Sequence, residues 1–137
     1  MKSPIRTGVH LHVIERLITQ EQVDKYAQAS GDFNPIHIDA CYAKTSQFGH
    51  TIAHGMMIAS LISEMMTMEF ETDWARSGRM KIRFRAPAYP GDTVMTTGKV
   101  KTVNIMNTVQ EVICSVGVQN QQGENLITGD SLVKIAT

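Results

Sequence analysis

Asp32 and His37 stand five residues apart in ASGDFNPIHIDA, the stretch from Ala29 to Ala40, with Phe33, Ile36 and Ile38 between and beside them. A carboxylate and an imidazole held together can activate a water and carry a proton to or from carbon. The same stretch has a plainer reading. Gly31, Asp32, Asn34 and Pro35 are turn formers, Asp32 can cap a turn through its side chain, and His37 can be a packed polar residue. Spacing alone leaves both readings open.

A second feature lies at His54-Gly55, where a long apolar segment begins. Unpaired amides at a helix start favour negative charge, and a glycine lets a carbonyl come close to the backbone. Such a start is suited to be an oxyanion hole for an enolate forming on a thioester. His50 and His54 share the four-residue spacing of a zinc-binding helix. Gly49 and Gly55 flank them, however, and no third ligand is close in sequence, so no metal site is expected. The nine methionines suit either a soft acyl tunnel or ordinary core filling. Arg79, Lys81, Arg83 and Arg85 form a basic row that suits either phosphate contacts or the solvated face of a sheet.

These groups need elements to position them. Residues Gly8 to Leu17 read weakly as an opening strand. Thr19 and Gln22 then make a capping box, Val23, Tyr26 and Ala27 one apolar stripe, and Gly31 a C-terminal stop. Pro35 disfavours helix at Asn34, so a loop follows, and Asp39 is placed to cap a short helix through Ala43. The segment from about His54 to Phe70 is the strongest helix. Met56, Met57, Ile58, Leu61, Ile62, Met65 and Met66 spread round more than one face, as in a helix buried on most sides. RMKIRFRA alternates, with Met80, Ile82, Phe84 and Ala86 on the face expected to be half-buried. After the turn APAYPGD come three β-rich runs, TVMTTGKVKTV, VQEVICSVGVQ and NLITGDSLVKI, parted at Asn107 and at Gln121-Gln122-Gly123. The pattern indicates an α+β domain, a curved antiparallel sheet around a central helix.

A chain of 137 residues is one domain by length, expected to run over residues 1–137. Apolar residues make up 42% and charged residues 19%, and the net charge is zero, so nothing attracts the chain in bulk to nucleic acid or anionic membrane. MKSPIRTGVHLH lacks the apolar core of a secretory signal, and HGMMIASLISEMM is too short and polar to span a bilayer. Cys41 and Cys114 make no CxxC motif, and reduced thiols in the cytoplasm are expected.

Three segments in order, ASGDFNPIHID, IAHGMMIASL and RFRAPAYPGD, resemble the MaoC-like dehydratase family, in particular its (R)-specific enoyl-CoA hydratases. The likeness runs over nearly the whole chain. It implies a hot-dog fold, normally paired as a homodimer, with the active site near the dimer interface. By motif position it implies Asp32 and His37 as the catalytic pair and Gly55 as the amide that holds the thioester carbonyl. Asn34 is then the loop support and Ser60 a serine near the site. His54 and Met56, beside Gly55, and Arg83 and Arg85, with Lys81, become substrate contacts. The implied reaction is reversible hydration of a trans-2-enoyl thioester of coenzyme A or acyl carrier protein, with no cofactor, nucleic acid or membrane. Two rivals remain. A hot-dog thioesterase would place its acid on the central helix, where Glu64 is the carboxylate well inside. A non-catalytic subunit of a heteromeric dehydratase would be expected to lack Asp32 or His37. The segment Glu71 to Gly78 is a candidate lid or lining of the acyl tunnel.

Overall fold

The computed structural model describes residues 5–136. The first four residues of the N-terminal segment read above, and residue 137, lie outside the described residues.

Five antiparallel strands make one sheet: β1 (Glu15–Leu17), β2 (Arg79–Phe84), β3 (Thr93–Met106), β4 (Val109–Gln119) and β5 (Asn125–Ala136), in the order β1-β3-β4-β5-β2. The three long strands fall where the β-rich runs predict them. Asn107, at φ 55°, turns β3 into β4. A register shift between Val100 and Thr102 puts a bulge at Lys101, the kind of irregularity that bends and twists a strand.

The sheet curves round α4 (Gly55–Phe70), whose Ile58, Ala59, Leu61, Ile62, Met65, Met66 and Phe70 are buried. Ile62, Met65 and Met66 retain no exposed surface. Burying each such side chain is worth roughly 1.5–3 kcal/mol. Gly98 on β3 makes the close packing possible, since a Cβ there would lie 2.9 Å from Met65 and from Leu11. The methionines therefore divide. Met65 and Met66 fill the core, while Met56 and Met68 stay 61% and 49% exposed. Cys114 lies within the same core, and burial pushes its thiol up to about 11, out of range for nucleophilic or redox work near neutral pH.

Helix α1 (Gln20–Ser30) starts on the expected capping box of Thr19 and Gln22 and ends at Gly31, which adopts φ 80°. Asp39 caps α3 (Ala40–Lys44) by accepting from the amides of Cys41 and Tyr42.

Four expectations need correction. Gly8 to Leu17 is not a continuous strand. Only Glu15–Leu17 pairs in a regular ladder, and upstream a single bridge joins His10 to Lys99. The Thr96 hydroxyl takes the Ile14 amide, which replaces a ladder bond with a side-chain bond. RMKIRFRA does form a strand, but β2 lies at the sheet edge, so Met80 and Phe84 remain 36% and 54% exposed rather than covered. The stretch after Asn34 is not all loop, because Pro35–Ile38 forms a helical turn, α2. Glu71 to Gly78 is no lid. It folds as α5 (Thr72–Ser77) at the far end of α4, where the Trp74 indole N–H donates to Ser63 Oγ at 3.0 Å and the Ser77 hydroxyl bonds the β5 backbone.

Candidate active site

The chain between α1 and α4 is held by a succession of local bonds. Gly31 closes α1 in the left-handed region, where glycine meets no steric penalty, and its amide donates to the Ala27 carbonyl at 2.9 Å. Asp32 Oδ1 accepts the Asn34 amide at 3.1 Å, and Asn34 Oδ1 in turn accepts the Ile36 amide at 3.1 Å. With Pro35 at its first position, α2 is preset for helix and capped by Asn34. Asn34 thus stiffens the turn between Asp32 and His37. The plainer reading of Asp32 as a turn cap is correct for one carboxylate oxygen, and it does not exclude chemistry at the other.

His37, on α2, donates from Nδ1 to the Ile52 carbonyl at 2.8 Å. A carbonyl only accepts, so Nδ1 carries a proton, and in the neutral ring Nε2 is left as the acceptor. The α2 end is tied down a second time, because the Gln20 side chain donates to the His37 carbonyl and accepts from the Thr51 hydroxyl, each at 2.8 Å.

His54, the residue before α4, is 2% exposed. Its Nε2 donates to the Asp32 backbone carbonyl at 2.9 Å, and by the same argument Nε2 carries the proton. The ring stacks on His37 with centroids 3.9 Å apart and planes 23° from parallel, and Tyr26 of α1 packs against it at 4.8 Å. His54 Nδ1 is buried without a hydrogen-bond partner among the described residues. A buried polar atom left unpaired costs roughly 1–3 kcal/mol, so its retention calls for an explanation.

One carboxylate oxygen of Asp32 and one ring nitrogen each of His37 and His54 lie within 4.8 Å of one another. Three such groups suggest a metal, but stacked rings hold their lone pairs in near-parallel planes that do not converge on one ion. The spacing of His50 and His54 has no helical meaning either. His50 precedes α4 and sits edge-on to Tyr89 at 6.1 Å.

Beside this cluster lies a largely apolar cavity of about 300 Å³, lined by His37 and Gly55 with Phe48, Ile58, Phe84 and Leu126 among its walls. Gly55 opens α4, where the first amides have no carbonyl one turn earlier to bind. A Cβ at Gly55 would lie 2.8 Å from the Phe84 ring, so the absent side chain lets that ring close over the helix start.

Asp32, His37, His54 and Gly55 come together, supported by Asn34. Arg85 lines the cavity and also an outer groove, with its Nε donating to Thr128 Oγ1 at 2.9 Å. Arg83 and Lys81 line the outer groove but not the cavity. Ser60 faces another shallow depression, with Arg16, Gln22 and Leu61, and its hydroxyl donates to the Met57 carbonyl. Met56 points into the open rather than lining the cavity. Residue patterns did not indicate the Ile52 carbonyl, the Tyr26 contact or the walls given by Phe48 and Leu126. A carbonyl leaves no trace in residue type, and the others depend on pairings across the fold.

The family model for the MaoC-like domain matches residues 5–122. The chain is 29% identical over 114 residues to an (R)-specific enoyl-CoA hydratase of Aeromonas caviae, covering 83% of this chain and 84% of that one. To 3-hydroxyacyl-thioester dehydratase Z of Mycobacterium tuberculosis it is 30% identical over 123 residues, covering 85% and 82%. Among solved structures, the (R)-hydratase of A. caviae involved in PHA biosynthesis superposes with a TM-score of 0.81 at 25% identity, covering 96% of this chain and 97% of that one.

Proposed function

The chain belongs to the MaoC-like dehydratase family and has its hot-dog fold, and we propose that it is a hydro-lyase of trans-2-enoyl thioesters. It adds water reversibly to give 3-hydroxyacyl thioesters, with the (R) hand that its relatives' names carry. The observation that carries this reading is the His37 ring, which keeps Nε2 unused by the bond to Ile52, has a nitrogen within 4.8 Å of an Asp32 carboxylate oxygen, and lines the cavity that Gly55 shares.

In the forward direction the enoyl chain lies in the apolar cavity, and Asp32 and His37 hold one water. One of the pair takes its proton as the water oxygen bonds C3, and the π electrons move onto the thioester oxygen. The Gly55 amide, at the positive end of α4, receives that enolate-like charge. A proton from the same pair then goes to C2, so the water is consumed whole and no proton is gained or lost. His37 in this tautomer accepts only at Nε2, and the two groups act as one coupled unit. Neither metal nor redox cofactor has a part in this scheme. The substrate's carrier is coenzyme A or an acyl carrier protein, and Arg85, with Arg83 and Lys81 outside it, offers positive charge to the carrier's phosphates. All of this is the work of one domain. Among the described residues no helix is long and apolar enough to cross a membrane. A cytoplasmic setting, where thiols stay reduced, goes with the reading.

Purified protein given crotonyl-CoA, then longer enoyl-CoA esters, is expected to bleach the enoyl-thioester absorbance and yield the 3-hydroxyacyl product. Release of free thiol would instead indicate a thioesterase. That outcome is disfavoured by Glu64, the carboxylate well inside α4, which pairs with Arg16 at 2.6 Å rather than lining the cavity. Tight binding without turnover would indicate a non-catalytic subunit.

The same proposal includes a homodimer. Strand β2 has an unpaired edge and carries the exposed Met80 and Phe84, and Met56 is uncovered nearby in sequence to Gly55. Edges and apolar surfaces of this kind call for cover. Sedimentation should give twice the chain mass; a monomer would remove this part of the proposal.

A further inference from the structure

His54 is the most enclosed polar side chain of the cluster, yet the reaction above gives it no proton to carry. Its three contacts all serve other groups. The Nε2–H holds the main-chain carbonyl of Asp32, one ring face supports His37 at 3.9 Å, and Tyr26 packs against the ring at 4.8 Å. Its remaining nitrogen is buried without a partner among the described residues. Packing alone does not account for a polar atom kept there without a protein partner.

We infer that His54 is a positioning residue, which through its Nε2–H and its ring face fixes the separation of the Asp32 carboxylate from His37 Nε2. The connection is short. Asp32 follows the left-handed Gly31 at the end of α1, and His37 sits two residues from the end of its helical arm at Asp39. Neither α1 nor α2 alone determines the gap between the two side chains, because Asp32 lies in the turn between the helices and His37 on α2. His54 touches both sides of the gap, and its backbone also begins α4, whose first residue is Gly55. One side chain therefore refers the water-holding pair to the helix start that receives the enolate charge. The two imidazoles carry opposite tautomers, His37 protonated on Nδ1 and His54 on Nε2, because each faces a different carbonyl.

This rests on the hydration chemistry proposed above, and the test separates the two. Two variants divide the contacts. His54→Phe keeps a ring against His37 and loses the bond to Asp32, whereas His54→Gln keeps an N–H donor and loses the ring. With crotonyl-CoA, His54→Phe is expected to keep its melting temperature while kcat falls on the order of 10²-fold, the loss that displaced reacting groups produce. KM should stay within about threefold, since the cavity walls are untouched, and His54→Gln should recover part of kcat. Long-range imidazole ¹H–¹⁵N spectra of the unmodified protein should show His54 protonated on Nε2, and the His37 ring signals should shift in both variants. The inference is overturned if His54 is protonated on Nδ1, if His54→Phe turns over at the parental rate, or if rate and melting temperature fall together in both variants. Should the parent protein hydrate no enoyl thioester, the reaction fails, but the tautomer and the His37 signals still decide whether His54 positions the pair.

Discussion

Asp32→Asn should lower kcat for enoyl-thioester hydration by a factor on the order of 10²–10⁴, the usual share of a positioned acid or base. The substitution is a clean one here. The Asp32 oxygen that accepts the Asn34 amide has an equivalent in the Asn side chain, and the bond from His54 goes to the backbone carbonyl, which the substitution does not touch. Asp32 is also exposed, so little packing changes. What disappears is the negative charge and its capacity to take a proton. Melting temperature and KM should therefore stay near the parental values while turnover collapses. Turnover within about twofold of the parent would mean that Asp32 is only the turn residue its sequence context allows.

His37→Ala should cost as much in kcat, with an added loss of stability that Asp32→Asn lacks. It removes the Nε2 acceptor, and it also takes away the donor to the Ile52 carbonyl and the ring on which His54 stacks. Losing one such hydrogen bond costs about 0.5–1.5 kcal/mol, readable as a lower urea midpoint at unchanged slope. Combining the two substitutions should lower kcat little further than the worse single one, because partners in one unit are not additive. Multiplying losses in the double variant would show that the residues act in separate steps.

The elements that announce themselves locally were legible. The capping box at Thr19 and Gln22 and the stop at Gly31 define α1 within the chain itself, and the apolar density of Met56 to Met66 marks α4. The pair at 32 and 37 was visible as residue types, and the resemblance of three segments to a known family gave it a role. Other features depended on neighbours far away in sequence. Met80 and Phe84 sit on an alternating strand whose pattern reads as half-buried, but alternation does not reveal that β2 lies at an edge. The four residues of α2 are too few to show a helical period, and Asn34-Pro35 reads equally as a turn or a helix start. Ser60 lines a different depression from the cavity that Gly55 opens, a matter of helix rotation that motif position cannot convey.

Every group assigned to the proton transfers, to their alignment or to the enolate charge is encoded in the continuous run from Gln20 to Gly55, while the strands that wall the cavity, β2 and β5, come afterwards. Chemistry and container are therefore separable in inheritance. On the proposed chemistry, a single base change at the codon for Asp32 would silence the catalyst and leave the strand order, the cavity walls and the uncovered edge as they are. In a duplicated gene such a copy would still fold and still offer the same surface to a partner. On the proposed chemistry, the identities at positions 32 and 37, rather than the closeness of superposition, are what would distinguish an active copy from a silent one.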